Sequence, residues 1–173
     1  MKILLGERKK FFLGPDVEIK FTAPEDCECE RKNDNEVIIT LASLPECKIY
    51  LDVAPYDQKI DPSPAVPHDY NKGAYPALCD EIYRRFGFLP DDRFSIREEN
   101  FVSGGWYRIS WHDLEGNGME AWFIQYDSWL VRVMAGNPSN ENKEVEDQSY
   151  KGFTKEESST IRKIVVDSIR LNL

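Results

Sequence analysis

The stretch "GGWYRISWHDLEGNGMEAWFIQYDSWLVRVMAG", residues 104–136, contains all four tryptophans of the chain. It divides into three segments that suit β-strands, "GWYRISWHD", "MEAWFIQY" and "WLVRVMAG". Gly116-Asn117-Gly118 and Asp127-Ser128 separate them, and these residue types are typical of tight turns. The stretch therefore predicts an antiparallel β-meander.

Side-chain alternation along this meander indicates what surrounds it. Successive residues of a strand point to opposite faces of the sheet. In "MEAWFIQY" both alternating sets are apolar, with Met119 and Phe123 on one face and Trp122 and Ile124 on the other. An antiparallel sheet with one face in water would alternate apolar and polar residues. The pattern predicts a sheet that is covered on both sides, with most tryptophans in the core.

Two amphipathic segments are long enough to provide that cover. "AYPALCDEIYRRFG", residues 74–87, has an apolar stripe at helical spacing. "TKEESSTIRKIVVDSIRLNL", residues 154–173, opens with a capping box formed by Thr154 and Glu157. Its predicted buried stripe is Ile161, Ile164, Val165 and Ile169, with Ser168 on the same side. We predict a single α+β domain over residues 1–173: a mostly antiparallel sheet flanked by helices on both faces, an α/β/α sandwich.

The first third of the chain predicts three further antiparallel strands, "VEIKFTA" from Val17, "EVIITLA" and "CKIYLDVA". The polar run "APEDCECERKNDNE" between the first two predicts a turn or loop. We expect mobile loops near residues 25–35, 54–73 and 136–152, the second of which contains Pro55, Pro62, Pro64 and Pro67.

Charge and hydropathy exclude some partners. The chain has 31 acidic and 22 basic residues, a formal net charge of −9. Such a chain lacks the basic footprint of nucleic-acid binding, and a basic protein or a cation is the more natural partner. No run approaches the ~20 apolar residues that span a bilayer, so we expect no membrane insertion. The N-terminus has no secretory signal pattern, which predicts a cytoplasmic location.

The four cysteines, Cys27, Cys29, Cys47 and Cys79, do not match a zinc-site spacing. Cys27 and Cys29 form the only close pair, and one residue separates them. We predict free thiols, no metal and no cofactor, with a metal or redox role for the cysteines as the alternative.

The chain also lacks the common catalytic signatures. It contains no phosphate-binding glycine loop, no G-x-S-x-G and no H-E-x-x-H. Its two histidines are each followed by an aspartate, but neighbours on a strand point to opposite faces. Trp106 is the tryptophan most suited to a pocket, because it follows two glycines and shares its face with polar residues. The candidate binding residues are Trp106, Arg108, His112, His68 and Asp69.

The element order resembles the PsbP-like superfamily, an α/β/α fold found in an extrinsic photosystem subunit, a Ran-binding nuclear import factor and many small bacterial proteins. The resemblance is carried by Pro24-Glu25, by the meander from Trp122 to Met134, and by the closing segment "IVVDSIRL" with Ser168, Ile169 and Arg170. It covers most of the chain from about Val17. This chain departs from the pattern in its long proline-containing loop and in lacking the usual targeting segment. Because most relatives bind or assemble, the resemblance implies interaction, and it assigns no catalytic residue.

We therefore predict a non-enzymatic cytoplasmic protein-interaction module of bacterial type. It would bind another protein as an immunity-type inhibitor of a toxin, as an accessory protein or as a scaffold. The alternative is a small-ligand-binding protein or an enzyme with a pocket near Trp106 and His112.

Overall fold

The computed structural model describes residues 2–14, 17–56, 81, 84–86, 96–101, 106–112, 117–126, 128–138 and 152–172. Within these ranges the strands are β1 (Leu5–Leu13), β2 (Val17–Pro24), β3 (Cys27–Asn33), β4 (Glu36–Leu41), β5 (Leu44–Pro55), β6 (Ile96–Phe101), β7 (Tyr107–His112), β8 (Asn117–Tyr126), β9 (Trp129–Gly136), β10 (Phe153–Thr154) and β11 (Arg170–Asn172). The helix α1 is Lys155–Ile164, and a 3₁₀ helix, Val166–Ser168, follows it.

Most strands belong to one antiparallel sheet, called here the large sheet. Its strand order is β3-β4-β5-β9-β8-β7-β6, with β10 paired to β8. The predicted meander is its centre, because β7, β8 and β9 are antiparallel neighbours in chain order. The long strand β5 then pairs with β9, which brings the first third of the chain beside the meander.

A separate small sheet has the order β1-β2-β11. This corrects the predicted grouping of strands: β2 does not pair with β4 or β5, although all three are strands as expected. β2 is instead the centre of the small sheet, where β1 pairs with one of its edges and β11 with the other.

The first face of the large sheet holds the main hydrophobic core. Its residues from β4, β5, β8 and β9 pack with the inward side chains of β2 and with α1 in one buried cluster. The cluster includes Val37, Ile39, Ile49, Leu51, Trp122, Val131, Val133, Ile19, Phe21, Ile161 and Val165. A second sheet together with a helix therefore covers this face, which differs from the helix alone that the sequence predicted.

The second face of the large sheet contacts a short helical stretch. Residues 84–86 are helical, and Phe86 is fully buried. The ring of Phe86 meets that of Tyr50 edge-on, with centroids 6.0 Å apart. A Cβ atom on Gly136 would lie 2.8 Å from the Phe86 ring, so the ring fits only because position 136 is glycine. The full helix predicted over residues 74–87 extends beyond the described residues.

The predicted capping box is confirmed at the start of α1. The Glu157 amide donates to the Thr154 hydroxyl at 3.2 Å, and the Thr154 amide donates to the Glu157 carboxylate at 2.9 Å. The predicted length of this helix is wrong, because α1 ends at Ile164 and the chain continues as β11. Ser168 stabilises the change of direction: its hydroxyl accepts from the Thr22 amide at 2.7 Å and donates to the Val165 carbonyl at 2.8 Å.

The first predicted loop is also corrected. Residues 27–33 form strand β3, and turns at 25–26 and 34–35 flank it. Most of the second and third predicted loops lies outside the described residues, namely residues 57–73 and 139–151. None of the helices in the described ranges is both long and apolar enough to cross a bilayer.

Candidate interaction surface

The structure describes the side chains of two of the five predicted binding residues, Trp106 and Arg108. Trp106 is 6% exposed and belongs to the core on the first face. Arg108 is half-buried and binds both carboxylate oxygens of Glu120, at 3.1 and 2.9 Å. His112 lies in β7 opposite Gly118. His68 and Asp69 lie outside the described residues.

A buried ion-pair network, which the sequence analysis missed, lies on the second face. Arg132 binds both carboxylate oxygens of Asp52 at 2.7 Å. Arg85 donates to Asp52 at 2.8 Å and also forms an ion pair with Glu36. Glu81 lies 3.0 Å from Arg85 and 3.7 Å from Arg132. The network therefore ties the helical residues 81 and 84–86 to β4, β5 and β9.

The charges of this network are matched, which favours a structural role. Burial by itself would raise the pKa of Glu81, but Arg84, Arg85 and Arg132 outweigh it and lower that pKa. The guanidinium of Arg85 also lies over the Tyr50 ring, 4.4 Å from its centroid. Each of these charges faces an opposite charge or a ring, so the cluster has little capacity left for a substrate. The signal for it in the sequence is a lone charge in an otherwise apolar strand, as in "YLDVA" and "LVRVMAG".

The outer face of the small sheet carries a second cluster of charge, and this one is exposed. The register sets Lys10 beside Lys20 and Lys20 beside Arg170, across all three strands. Arg8 lies on the same face, opposite Thr22. These four residues, Arg8, Lys10, Lys20 and Arg170, are called here the basic face. The acidic side chain among them is Glu18, which forms an ion pair with Lys20 at 3.0 Å.

Phe12 adds an apolar side chain to the basic face. It lies opposite Glu18, it is 53% exposed, and the Lys10 ammonium is 5.5 Å from its ring centroid. β1 is also an edge strand that pairs only with β2 among the described residues. The backbone N–H and C=O groups of β1 that point away from β2 therefore lie beside a surface of basic and aromatic side chains.

Arginine and lysine side chains on this surface do not bind metal cations. Across the described part of the chain, no group of three or more histidine, cysteine, aspartate or glutamate side chains is placed to hold a metal ion. The positive charges of this surface favour contact with anionic groups.

Comparison with known proteins gives a likeness of fold and no similar sequence among curated proteins. A scan against protein-family models found no match, and a search of curated proteins found no similar sequence. Among solved structures, the chain is similar to the solution structure of cyanobacterial PsbP (CyanoP) from Synechocystis sp. PCC 6803. The two share 10% sequence identity and a TM-score of 0.47, over 95% of this chain and 92% of that one. The fold of the chain thus resembles that of this PsbP weakly, and no activity or partner follows from the likeness.

Proposed function

We propose that the protein is a non-enzymatic interaction module that binds an acidic segment of a partner protein at the basic face. The observation that carries this proposal is the distribution of charge. Four basic side chains and one acidic side chain share one exposed face of a chain whose net charge is −9. Local charge of one sign attracts and orients a partner of the opposite sign. The overall charge favours a basic partner, but the charges on this face favour an acidic one.

In the part of the chain that the structure describes, β1 pairs with a strand on one side only, and this supports an extended conformation for the bound segment. An extended peptide can add to the edge of a sheet through backbone hydrogen bonds, with alternate side chains giving specificity. Along β1 those alternate positions are Arg8, Lys10 and Phe12, all on the outer face. Acidic side chains of a bound strand would meet the two bases, and an apolar one would meet Phe12.

Charges on an edge strand also have a simpler use. Lysine and arginine at an edge hinder pairing between copies of a sheet and so prevent aggregation. That use requires charges on the edge strands alone. It can also account for Arg170, because β11 is the other edge strand, but it does not account for Lys20 on the central strand, which joins the two edges into one basic face. The presence of Lys20 at the centre of the cluster favours binding.

The other predictions about function are part of this proposal. A full helix over residues 74–87 would cover the second face of the large sheet and leave the outer face of the small sheet as the open surface. An immunity-type inhibitor and an accessory protein are both compatible with such a surface, and a cytoplasmic location remains a prediction.

The alternative, a pocket near Trp106 and His112, has less support because Trp106 is buried and Arg108 is paired with Glu120.

The experiment uses a fluorescently labelled peptide of alternating glutamate and valine, with fluorescence anisotropy as the readout. We expect the natural chain to bind it, and binding to weaken as salt shortens the Debye length from about 30 to about 8 Å. Lys10→Glu should weaken binding roughly tenfold, which corresponds to about 1.4 kcal/mol.

Lys32→Glu is the matched control, because Lys32 is an exposed lysine on an edge strand of the other sheet. Both substitutions change the net charge equally, so a general effect of charge would weaken binding in both. The proposal fails if the two variants lose affinity equally, or if the peptide does not bind. Tighter binding of anionic phospholipid vesicles or duplex DNA than of the peptide would assign the basic face to another class of partner.

A further inference from the structure

Cys27 and Cys29 form a close pair of thiols on strand β3. Being two residues apart on a strand, they share a face, and their Sγ atoms are 3.9 Å apart. Both side chains are half-buried at the margin of the core, where Cys27 lies opposite Leu41 and Cys29 opposite Ile39. β3 is an edge strand of the large sheet, so the pair lies next to solvent.

The surroundings of the pair do not favour thiol catalysis. Burial raises the pKa of Cys27, and burial together with the Cys27 sulfur raises the pKa of Cys29 to about 12. Both groups are therefore neutral thiols near pH 7, whereas the thiolate is the nucleophilic form. A nucleophilic or thiol-exchange role is the weaker explanation of the pair.

Strand geometry also disfavours a disulfide between them. Residues i and i+2 of a strand have Cα atoms about 6.6 Å apart. That is near the upper end of the ~4.4–6.8 Å range seen in disulfides. A bond between Cys27 and Cys29 would bend β3 and weaken its pairing with β4, so the reduced pair is the form that suits the strand.

The same geometry allows one cation to contact both sulfurs. With metal–sulfur distances of about 2.3 Å, a single ion can bridge sulfur atoms up to about 4.6 Å apart. The 3.9 Å separation of the Cys27 and Cys29 sulfurs is within that limit. Structural zinc sites need four ligands, whereas soft Cu(I) accepts two thiolates. Two thiols without further ligands in the described structure therefore match Cu(I) better than Zn²⁺.

An open cleft of about 360 Å³ gives access to Cys27, one member of the pair. Cys27 lines it together with Glu7, Lys9 and Glu25. Gly6 forms part of its wall, and a Cβ atom there would lie 2.7 Å from the Glu25 backbone. The cleft has two carboxylates and one ammonium, and Glu7 and Lys9 are 3.4 Å apart, so its net charge favours a cation.

We propose that Cys27 and Cys29 form a binding site for one soft monovalent cation, Cu(I). Each thiol gives up its proton to solvent as its sulfur binds the metal, so that Cu⁺ and two thiols yield one dithiolate complex and two protons. The copper keeps its oxidation state, and no electron transfer is involved. The two sulfur ligands are separate from the basic face, because neither cysteine belongs to the small sheet, although β1 lines part of the cleft.

The test is an anaerobic titration in which the protein competes with bicinchoninate for Cu(I). The natural chain should take up one equivalent, with the ultraviolet absorption typical of thiolate bound to copper. Cys27→Ser and Cys29→Ser should each abolish that uptake. Cys47→Ala and Cys79→Ser are the matched controls, and both should retain it. Circular dichroism checks that each variant is folded.

A second measurement uses the natural chain and so does not depend on the folding of any variant. Bound Cu(I) should protect Cys27 and Cys29 from N-ethylmaleimide, as read by peptide mass spectrometry. The proposal is overturned if the double variant Cys27→Ser/Cys29→Ser still takes up one equivalent. It is equally overturned if the natural chain takes no Cu(I) from bicinchoninate, or if copper leaves the labelling of both cysteines unchanged.

Discussion

The two faces of the large sheet are buried by different means. On the first face, side chains such as Ile49 and Val133 pack against β2 and α1 in an apolar cluster. On the second face, the centre is the bidentate pair of Arg132 and Asp52, with Arg85 above it. Apolar packing is non-directional, whereas the arginine pairs fix which groups meet. The second face thus specifies where the helical residues dock.

The same contrast predicts different responses to mutation. Burying apolar surface stabilises the fold roughly in proportion to the area removed from water. A buried ion pair adds little compared with apolar residues of the same size, but removing one partner leaves a buried charge uncompensated. Substitutions on the first face should therefore lower the free energy of unfolding in proportion to the side-chain volume that they remove. Substitutions on the second face should lower it when they leave a buried charge without its partner.

The largest effect is expected from Trp122→Ala on the first face. Trp122 is fully buried in β8, and its removal leaves a large cavity in the core. We expect the free energy of unfolding to fall by about 4 kcal/mol, measured by denaturant titration. Trp122→Phe should cost well under half of that, since Nε1 has no hydrogen-bond partner among the described residues. An equal cost for both variants would mean that volume does not govern this face.

The next effect is expected from Asp52→Asn on the second face. This change keeps the size of the side chain but removes the charge that Arg132 and Arg85 share. We expect a loss of about 3 kcal/mol, because two buried guanidinium groups lose their common partner. Arg132→Met in the same chain should recover part of that loss, giving a coupling of about 1–3 kcal/mol in a double-mutant cycle. Strictly additive costs would show that the two charges do not act together.

A smaller effect is expected from Gly136→Ala, because side chains on the second face pack closely against Gly136. A Cβ atom on Gly136 would lie 2.8 Å from Cε1 of Phe86 and 3.0 Å from Cβ of Met119. Gly136→Ala should therefore cost about 2 kcal/mol through overpacking. The outcome that contradicts this close approach is a gain in stability, which alanine gives in a strand with free space. Phe86→Leu added to Gly136→Ala should relieve part of the cost, since it removes the ring atoms nearest to the new methyl group.

The sequence predicted the centre of the fold better than its edges. The meander and the sheet buried on both sides follow from runs such as "MEAWFIQY" and "WLVRVMAG", where both alternating sets are apolar. β1 and β3 were missed because "GERKKFF" and "CECERKN" have few apolar residues. Such polar strands form because a neighbouring strand hydrogen-bonds with their backbone groups. The alternation of apolar and polar residues along one strand does not reveal that pairing. For the same reason β11 was taken as helix, although β2 pairs with it.

The candidate surface could not be predicted from the sequence because it depends on register. Lys10, Lys20 and Arg170 become neighbours only when β1 and β11 pair with β2, and Arg170 is far from the other two along the chain. The predicted pocket residues were chosen for their chemistry and their proximity along the chain. That criterion found Arg108, whose partner Glu120 lies on the next strand, but it did not reveal that Trp106 is buried.

The smallest expected effect on the free energy of unfolding comes from the ionisation of Cys47, whose thiol is buried within the apolar first face. Burial raises its pKa from the ordinary value of 9.0 to about 12. A raised pKa means that the folded state favours the neutral thiol. Its contribution to stability is therefore complete below pH 9 and is lost as the pH rises toward 12. By pH 10 the loss should reach about 1 kcal/mol.

Cys47→Ala isolates this contribution from the lysines and tyrosines that also titrate in alkali. The variant has a constant cost from lost volume, so the pH dependence of its free energy of unfolding is the informative quantity. Between pH 7 and 10, the natural chain should lose stability more steeply than Cys47→Ala. Parallel curves would show that the Cys47 thiol ionises as easily in the folded chain as in the unfolded one. The first face would then admit water near β5, and the contrast between an apolar face and a charged one would not hold there.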